Sequence, residues 1–143
     1  MGPRDRCRAE EGVLETGVDI VEIPRIGQLV RRYGDRFRAR VYTDREWADC
    51  AGRISSLAAR FAAKEATIKA LGSREPALRE IEVVRPADSR PTIRLHGRAA
   101  AVAREQGVCE LALSLSHDQE HAIAVVVLRR EGDGRLPWEQ AEG

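Results

Sequence analysis

Lysine is nearly missing from this chain. Of its 24 basic residues only Lys64 and Lys69 are lysine, and 24 less 2 leaves 22 arginines. Lysine presents a compact, flexible ammonium and arginine a rigid planar fork, so the two are not interchangeable at a phosphate or proton-transfer site. A chain that otherwise uses arginine has placed both lysines five positions apart. Chance clustering in a biased composition is the plain alternative, but the stretch 60–72 becomes the first place to look for chemistry.

Other scarcities exclude whole classes. The three cysteines, Cys7, Cys50 and Cys109, are widely spaced with no C-x-x-C pair; a disulfide framework and a zinc site are not expected, and three simple thiols are. Aromatic residues make up 4% and the net charge is +1, with no basic block interleaved with aromatics, which argues against a nucleic-acid binder. No apolar run approaches the roughly 20 residues of a membrane span. The opening twelve residues, MGPRDRCRAEEG, lack the apolar stretch of a signal peptide. A soluble cytoplasmic protein without membrane attachment is expected. At 143 residues it forms one domain, over 13–130, with an N-terminal extension at 1–12 and a tail at 131–143.

The pattern along the chain is mixed. VLETGVDIV (13–21) reads as a short strand ending near Asp19. From Pro24 a first helix is expected, with Ile26, Leu29, Val30 and Tyr33 on one apolar face and Arg25, Arg31, Arg32 and Arg36 largely on the rest. Thr43-Asp44-Arg45-Glu46 has capping-box spacing and opens a short helix towards Cys50. A longer helix runs from Ser55 or Ser56 to a C-cap at Gly72. REIEVVR and PTIRLH have strand composition around the turn-like Pro86–Ser89. An alanine-rich helix from Gly97 to Gln106 closes at Gly107. Leu111, Leu113 and Leu115 alternate with small residues as a half-buried strand does, and His121–Arg129 follows across a hairpin. The class is α+β, with helices packed on a mainly antiparallel sheet.

On the long helix Ala58, Ala62, Ala66 and Ala70 recur every four residues, a smooth stripe for close packing. Glu65 falls on or beside the bulky face formed by Leu57, Phe61, Ile68 and Leu71, where a carboxylate needs a cation or a hydrogen-bond partner. Lys69, four residues on, is one partner and a metal ion another. Asp19 stands at a strand end beside Gly17, ordinarily a turn or cap position. Paired with Glu65 it makes two carboxylates from distant segments, a donor set that suits Mg²⁺ completed by waters and substrate phosphates. Glu22 either adds an oxygen or favours a helix N-terminus. His117, closing Ser114-Leu115-Ser116-His117, is an accessible donor or proton carrier, or a plain turn histidine.

Three segments taken together, G-V-D-I-V-E-I (17–23), R-F-A-A-K-E-A-x-x-K-A-L-G (60–72) and S-L-S-H (114–117), resemble the holo-acyl-carrier-protein synthases, small bacterial 4′-phosphopantetheinyl transferases. The likeness spans 13–129, and its middle motif is the specific one. It implies Mg²⁺-dependent transfer of the phosphopantetheine arm of coenzyme A to a carrier-protein serine, with release of adenosine 3′,5′-bisphosphate. Asp19 and Glu65 would hold the metal. Lys69 would lie by the reacting phosphate, and Glu65, directly or through a metal-bound water, would take the serine proton. Arg60, Lys64, Lys69, Gly72 and His117 would line the coenzyme site. The partner would be an acidic acyl carrier protein docked on the first helix at Arg25, Arg31, Arg32 and Arg36. A homotrimer is expected by the same resemblance.

One departure stands out. Relatives follow Ala70-Leu71-Gly72 with a glycine-rich loop, whereas this chain has SREPALRE (73–80), shorter and glycine-free. Backbone amides of that loop are then missing or supplied elsewhere. A polyketide or peptide synthetase carrier as acceptor, and a carrier-binding module without turnover, are the competing readings.

Overall fold

The computed structural model describes residues 12–131, so the extension and the tail expected at the two ends lie outside the described residues, apart from Gly12 and Glu131. Strand β1 (Gly12–Glu22) runs directly into α1 (Ile23–Tyr33), followed by α2 (Asp35–Val41), α3 (Asp44–Cys50) and the long α4 (Ile54–Leu71). A 3-10 turn at Leu78–Glu80 leads into β2 (Ile81–Val84) and β3 (Thr92–Leu95). Then come α5 (Gly97–Gln106), β4 (Val108–His117) and β5 (His121–Glu131). The expected α+β class holds, with two antiparallel sheets ordered β1-β5-β4 and β2-β3.

The first expected helix divides in two. Gly34 adopts φ 51°, a backbone geometry that glycine tolerates and other residues rarely do, and the chain turns there between α1 and α2. The capping box is as the spacing indicates. Thr43 Oγ1 accepts from the Glu46 amide at 3.1 Å, and Glu46 Oε1 accepts from the Thr43 amide at 3.0 Å.

The alanine stripe explains how α4 reaches the sheet. Ala58, Ala62, Ala63, Ala66 and Ala70 are buried, and α4 packs on β1 and β5. A Cβ built on Gly17 would stand 1.9 Å from the Ala66 carbonyl oxygen, so only glycine lets β1 pass this close to the helix. The two sequence features, a glycine in one strand and small residues every fourth position in one helix, are halves of one contact. That contact fixes where Asp19, two residues beyond Gly17 on the same face of β1, meets α4.

Alternate residues of β1 and β5 point away from α4. Leu14, Val18 and Ile20 on β1, with Ile123 and Val125 on β5, are all exposed, and the register sets Val18 opposite Val125 and Ile20 opposite Ile123. Among the described residues, one face of the three-stranded sheet is therefore an uncovered apolar surface.

Cys50 is a buried free thiol. Cys109 Sγ lies 3.4 Å from the Arg129 carbonyl oxygen.

Candidate active site

A cavity of about 430 Å³ opens where β1 turns into α1 beside α4. Asp19 and Glu22 come from the end of β1, Arg25 from the first turn of α1, Phe61 and Glu65 from α4, and His121 from the start of β5. Ile20, Val21, Ile26 and Leu29 supply its apolar wall. The two carboxylates singled out in the sequence, Asp19 and Glu65, thus share one cavity although 46 positions separate them, 65 less 19.

Their charges interact. Burial pushes the Glu65 carboxyl above its ordinary proton affinity and the Asp19 charge adds to the effect, while Lys69 and Arg74 oppose it. The Lys69 ammonium reaches back across the helix, donating to Asp19 Oδ1 at 3.1 Å and to the Val18 carbonyl at 3.0 Å. Its side chain is 55% exposed and that of Asp19 17%, so the pair sits at the rim of the cavity. The simple Glu65–Lys69 pair weighed from helical spacing is replaced by a pair across elements.

Among the described residues, no group of three or more His, Cys, Asp or Glu side chains is gathered as a closed metal cage. Two oxygen donors in an open cavity fit Mg²⁺, which binds through one or two carboxylates and keeps sites for waters and phosphates. Burial is the larger cause of the rise at Glu65, and the Asp19 charge that adds to it is what a dication would offset.

The remaining expected residues fall in three places. Arg25 lines the cavity, and Arg31, Arg32 and Arg36 are exposed on α1 and α2. Arg32 stacks on Tyr33 at 5.3 Å from the ring centre. A second groove, bounded by Leu29, Tyr33, Arg36, Phe37 and Arg40, adjoins the cavity through Leu29. Gly72 caps α4 with φ 64°, and His117 is exposed at the end of β4, its Nδ1 3.3 Å from the Asp118 carbonyl oxygen. Neither lines the cavity of this chain.

Arg60 and Lys64 lie on the buried side of α4. Arg60 is 7% exposed and its Nε has no hydrogen-bond partner among the described residues. The side chain of Lys64 is fully buried and paired with Glu46 at 2.6 Å. The structure therefore does not present Lys64 to a ligand.

Two cavity residues escaped the sequence reading as site residues. His121 stands opposite Glu22 in the β1–β5 register, and Phe61 stacks on Phe37 at 6.3 Å. The pairing of first and last strands, which brings His121 here, carries no local sequence signal. The segment 73–80 is held by side chains. Arg98 of α5 pairs with Glu75, and Glu80 accepts from the amides of Ala77 and Arg98.

With this geometry set out, the likenesses to known proteins are specific. The family model of the 4′-phosphopantetheinyl transferase superfamily matches residues 15–126. A holo-[acyl-carrier-protein] synthase of Herpetosiphon aurantiacus is 48% identical over 124 residues, covering 80% of this chain and 98% of that protein. One from Koribacter versatilis is 45% identical, covering 81% and 98%. Among solved structures, the apo-ACPS of Chronobacterium ammoiniagenes has TM-score 0.75 and 34% identity, covering 84% of this chain and 98% of that one. Helicobacter pylori holo-[acyl-carrier-protein] synthase in complex with coenzyme A has TM-score 0.72 and 34% identity, covering 79% and 98%. The chain belongs to the 4′-phosphopantetheinyl transferase superfamily, among its holo-[acyl-carrier-protein] synthases.

Proposed function

We propose that this chain transfers the 4′-phosphopantetheine group of coenzyme A to a serine of an acidic acyl carrier protein, in the cytoplasm where both substrates occur. The observation that carries the reading is the convergence of Asp19 and Glu65, from two of the three motifs, in one cavity.

In the reaction the serine oxygen bonds to the phosphorus that bears the pantetheine. The bridging phosphorus–oxygen bond of the diphosphate breaks, and adenosine 3′,5′-bisphosphate leaves with the bridging oxygen. Asp19 and Glu65 would hold Mg²⁺, which when bound supplies charge neutralisation on the diphosphate. Glu65 takes the serine proton. Lys69, released from Asp19, stabilises charge at the phosphoryl oxygens. Arg60 contacts a coenzyme phosphate in this reading. Gly72 and His117 complete the coenzyme site in this reading.

The carrier docks on α1 and the groove beside it. Arg25, Arg31, Arg32 and Arg36 orient an acidic helix, and Leu29, Tyr33 and Phe37 offer an apolar seat between them. The uncovered sheet face of Leu14, Val18, Ile20, Ile123 and Val125 supports a homotrimer, with other copies of this chain covering it. Light scattering of the purified chain tests that assembly, and a monomeric mass at micromolar concentration contradicts it.

The transfer itself is read by the intact mass of an apo carrier protein incubated with this enzyme, coenzyme A and Mg²⁺. Gain of one phosphopantetheine arm, abolished by EDTA, is expected. No gain on fatty-acid carriers but gain on a synthetase carrier domain would reassign the acceptor, and binding without gain would make the chain a carrier-binding module.

A further inference from the structure

Lys64 belongs to the same motif as Glu65, yet its ammonium is occupied inside the protein. It donates to Glu46 Oε1 at 2.6 Å, to the Ile81 carbonyl at 2.6 Å and to the Leu78 carbonyl at 3.1 Å. Three donors meet three acceptors, which uses the full capacity of a lysine. Glu46 is equally committed. Its Oε1 accepts from the Thr43 amide at 3.0 Å and its Oε2 from the Val83 amide at 3.0 Å. Both side chains are wholly buried. This ion pair joins α3, α4, the 3-10 turn and β2 at one point.

Consecutive helical residues project about 100° apart. Lys64 therefore fixes α4 on one side while Glu65 faces the cavity on another. Small residues along its sheet contact let α4 approach β1 closely, and the Lys64–Glu46 tie adds a fixed point between the helix and α3, the 3-10 turn and β2.

We propose that Lys64, acting through Glu46, is a positioning residue of the transferase: it sets the rotation of α4 that holds Glu65 beside Asp19, and it touches no phosphate. The proposal rests on the phosphopantetheinyl-transfer reading above. A group that orients a metal ligand from behind is worth about 10- to 100-fold in metal affinity or turnover.

The test is a double-substitution cycle on the full chain with Lys64→Met, Glu46→Gln and the two together. Mn²⁺ affinity, coenzyme A affinity in EDTA, thermal midpoint and turnover are measured well below each variant's midpoint. Lys64→Met is expected to weaken Mn²⁺ binding and turnover about tenfold or more and to leave metal-free coenzyme A binding unchanged. The double variant is expected to be no weaker than Lys64→Met alone, because Glu46→Gln removes the charge that Lys64→Met leaves unpaired.

Loss of metal-free coenzyme A affinity in Lys64→Met, absent in Glu46→Gln, would make Lys64 a phosphate contact and overturn the proposal. A lowered midpoint with parental Mn²⁺ affinity and turnover would reduce the tie to stability alone and also overturn it. Should Lys64→Met fail to fold, Glu46→Gln by itself decides, since it is expected to weaken Mn²⁺ binding while sparing coenzyme A binding. If the parent transfers nothing, the functional reading fails, and the non-additivity in Mn²⁺ affinity still decides the tie.

Discussion

Lys69 Nζ lies 3.1 Å from Asp19 Oδ1. The cation assigned to the reacting phosphate thus rests on the carboxylate assigned to the metal, and occupation of one role displaces the other. Lys69→Met should tighten binding of Mn²⁺ in the absence of coenzyme A by a few-fold at most, since exposed pairs are worth about 0.2–1 kcal/mol. The same variant should lose turnover by about 10²–10³-fold, as removal of one charge-stabilising donor does. Calorimetry with Mn²⁺ and transfer kinetics read the two effects, and weaker metal binding in the variant would contradict the competition.

The close passage of β1 over α4 has its own test. A methyl at Gly17 would stand 1.9 Å from the Ala66 oxygen and 2.8 Å from the Ala70 amide nitrogen, both rigid backbone atoms. Gly17→Ala should therefore destabilise the chain by about 1–3 kcal/mol or more, the range for overpacking. It should also displace Asp19 and lower turnover further than the fraction unfolded accounts for. An unchanged melting midpoint would show that the strand can retreat freely.

A pH dependence arises away from the cavity. Burial alone would raise the Glu82 carboxyl, but hydrogen bonds from Thr43 Oγ1 at 2.6 Å and from His96, together with the charges of His96 and Arg45, hold it below its ordinary value. A carboxyl depressed in the folded state stabilises the protein above its unfolded pKa and loses that contribution as pH falls through the folded value. Stability should decline as pH drops from about 4.3 downward. Glu82→Gln should remove part of that acid limb and reduce stability at neutral pH by about 1–3 kcal/mol. Denaturant titrations at pH 7 and pH 4 measure both, and identical acid sensitivity in the variant would exclude Glu82 as a contributor.

Carrier docking is expected to be electrostatic. Reversing Arg25 and Arg32 to Glu should raise the KM for carrier protein and flatten its dependence on salt, because exposed charges farther apart than about 8–10 Å are screened at physiological ionic strength. Arg25 also lines the cavity, so Arg32→Glu alone separates docking from any effect on coenzyme binding. Unchanged kinetics at low salt would remove α1 from the docking surface.

Much of this architecture was legible in the residues. The Thr43–Glu46 box, the Gly72 and Gly107 caps and the alternation of Leu111, Leu113 and Leu115 are local signals, and each marks an element where the structure has one. Carboxylate chemistry and the family resemblance paired Asp19 with Glu65, and the two line one cavity. What could not be read was long-range pairing. Nothing near His121 announces that β5 lies against β1, and nothing near Glu46 announces that its charge meets Lys64 in the interior. Lys64 shows the limit most clearly, because a rare cation in a diagnostic motif reads as a ligand contact until its three acceptors are seen.

The most direct measurement compares the parent with Asp19→Ala and Glu65→Ala by intact mass of an apo carrier protein, with coenzyme A and Mg²⁺, alongside thermal melts of each variant. The account predicts one added phosphopantetheine arm for the parent and none for either folded variant. Transfer at the parental rate by either variant would contradict the assignment of a shared metal site at Asp19 and Glu65.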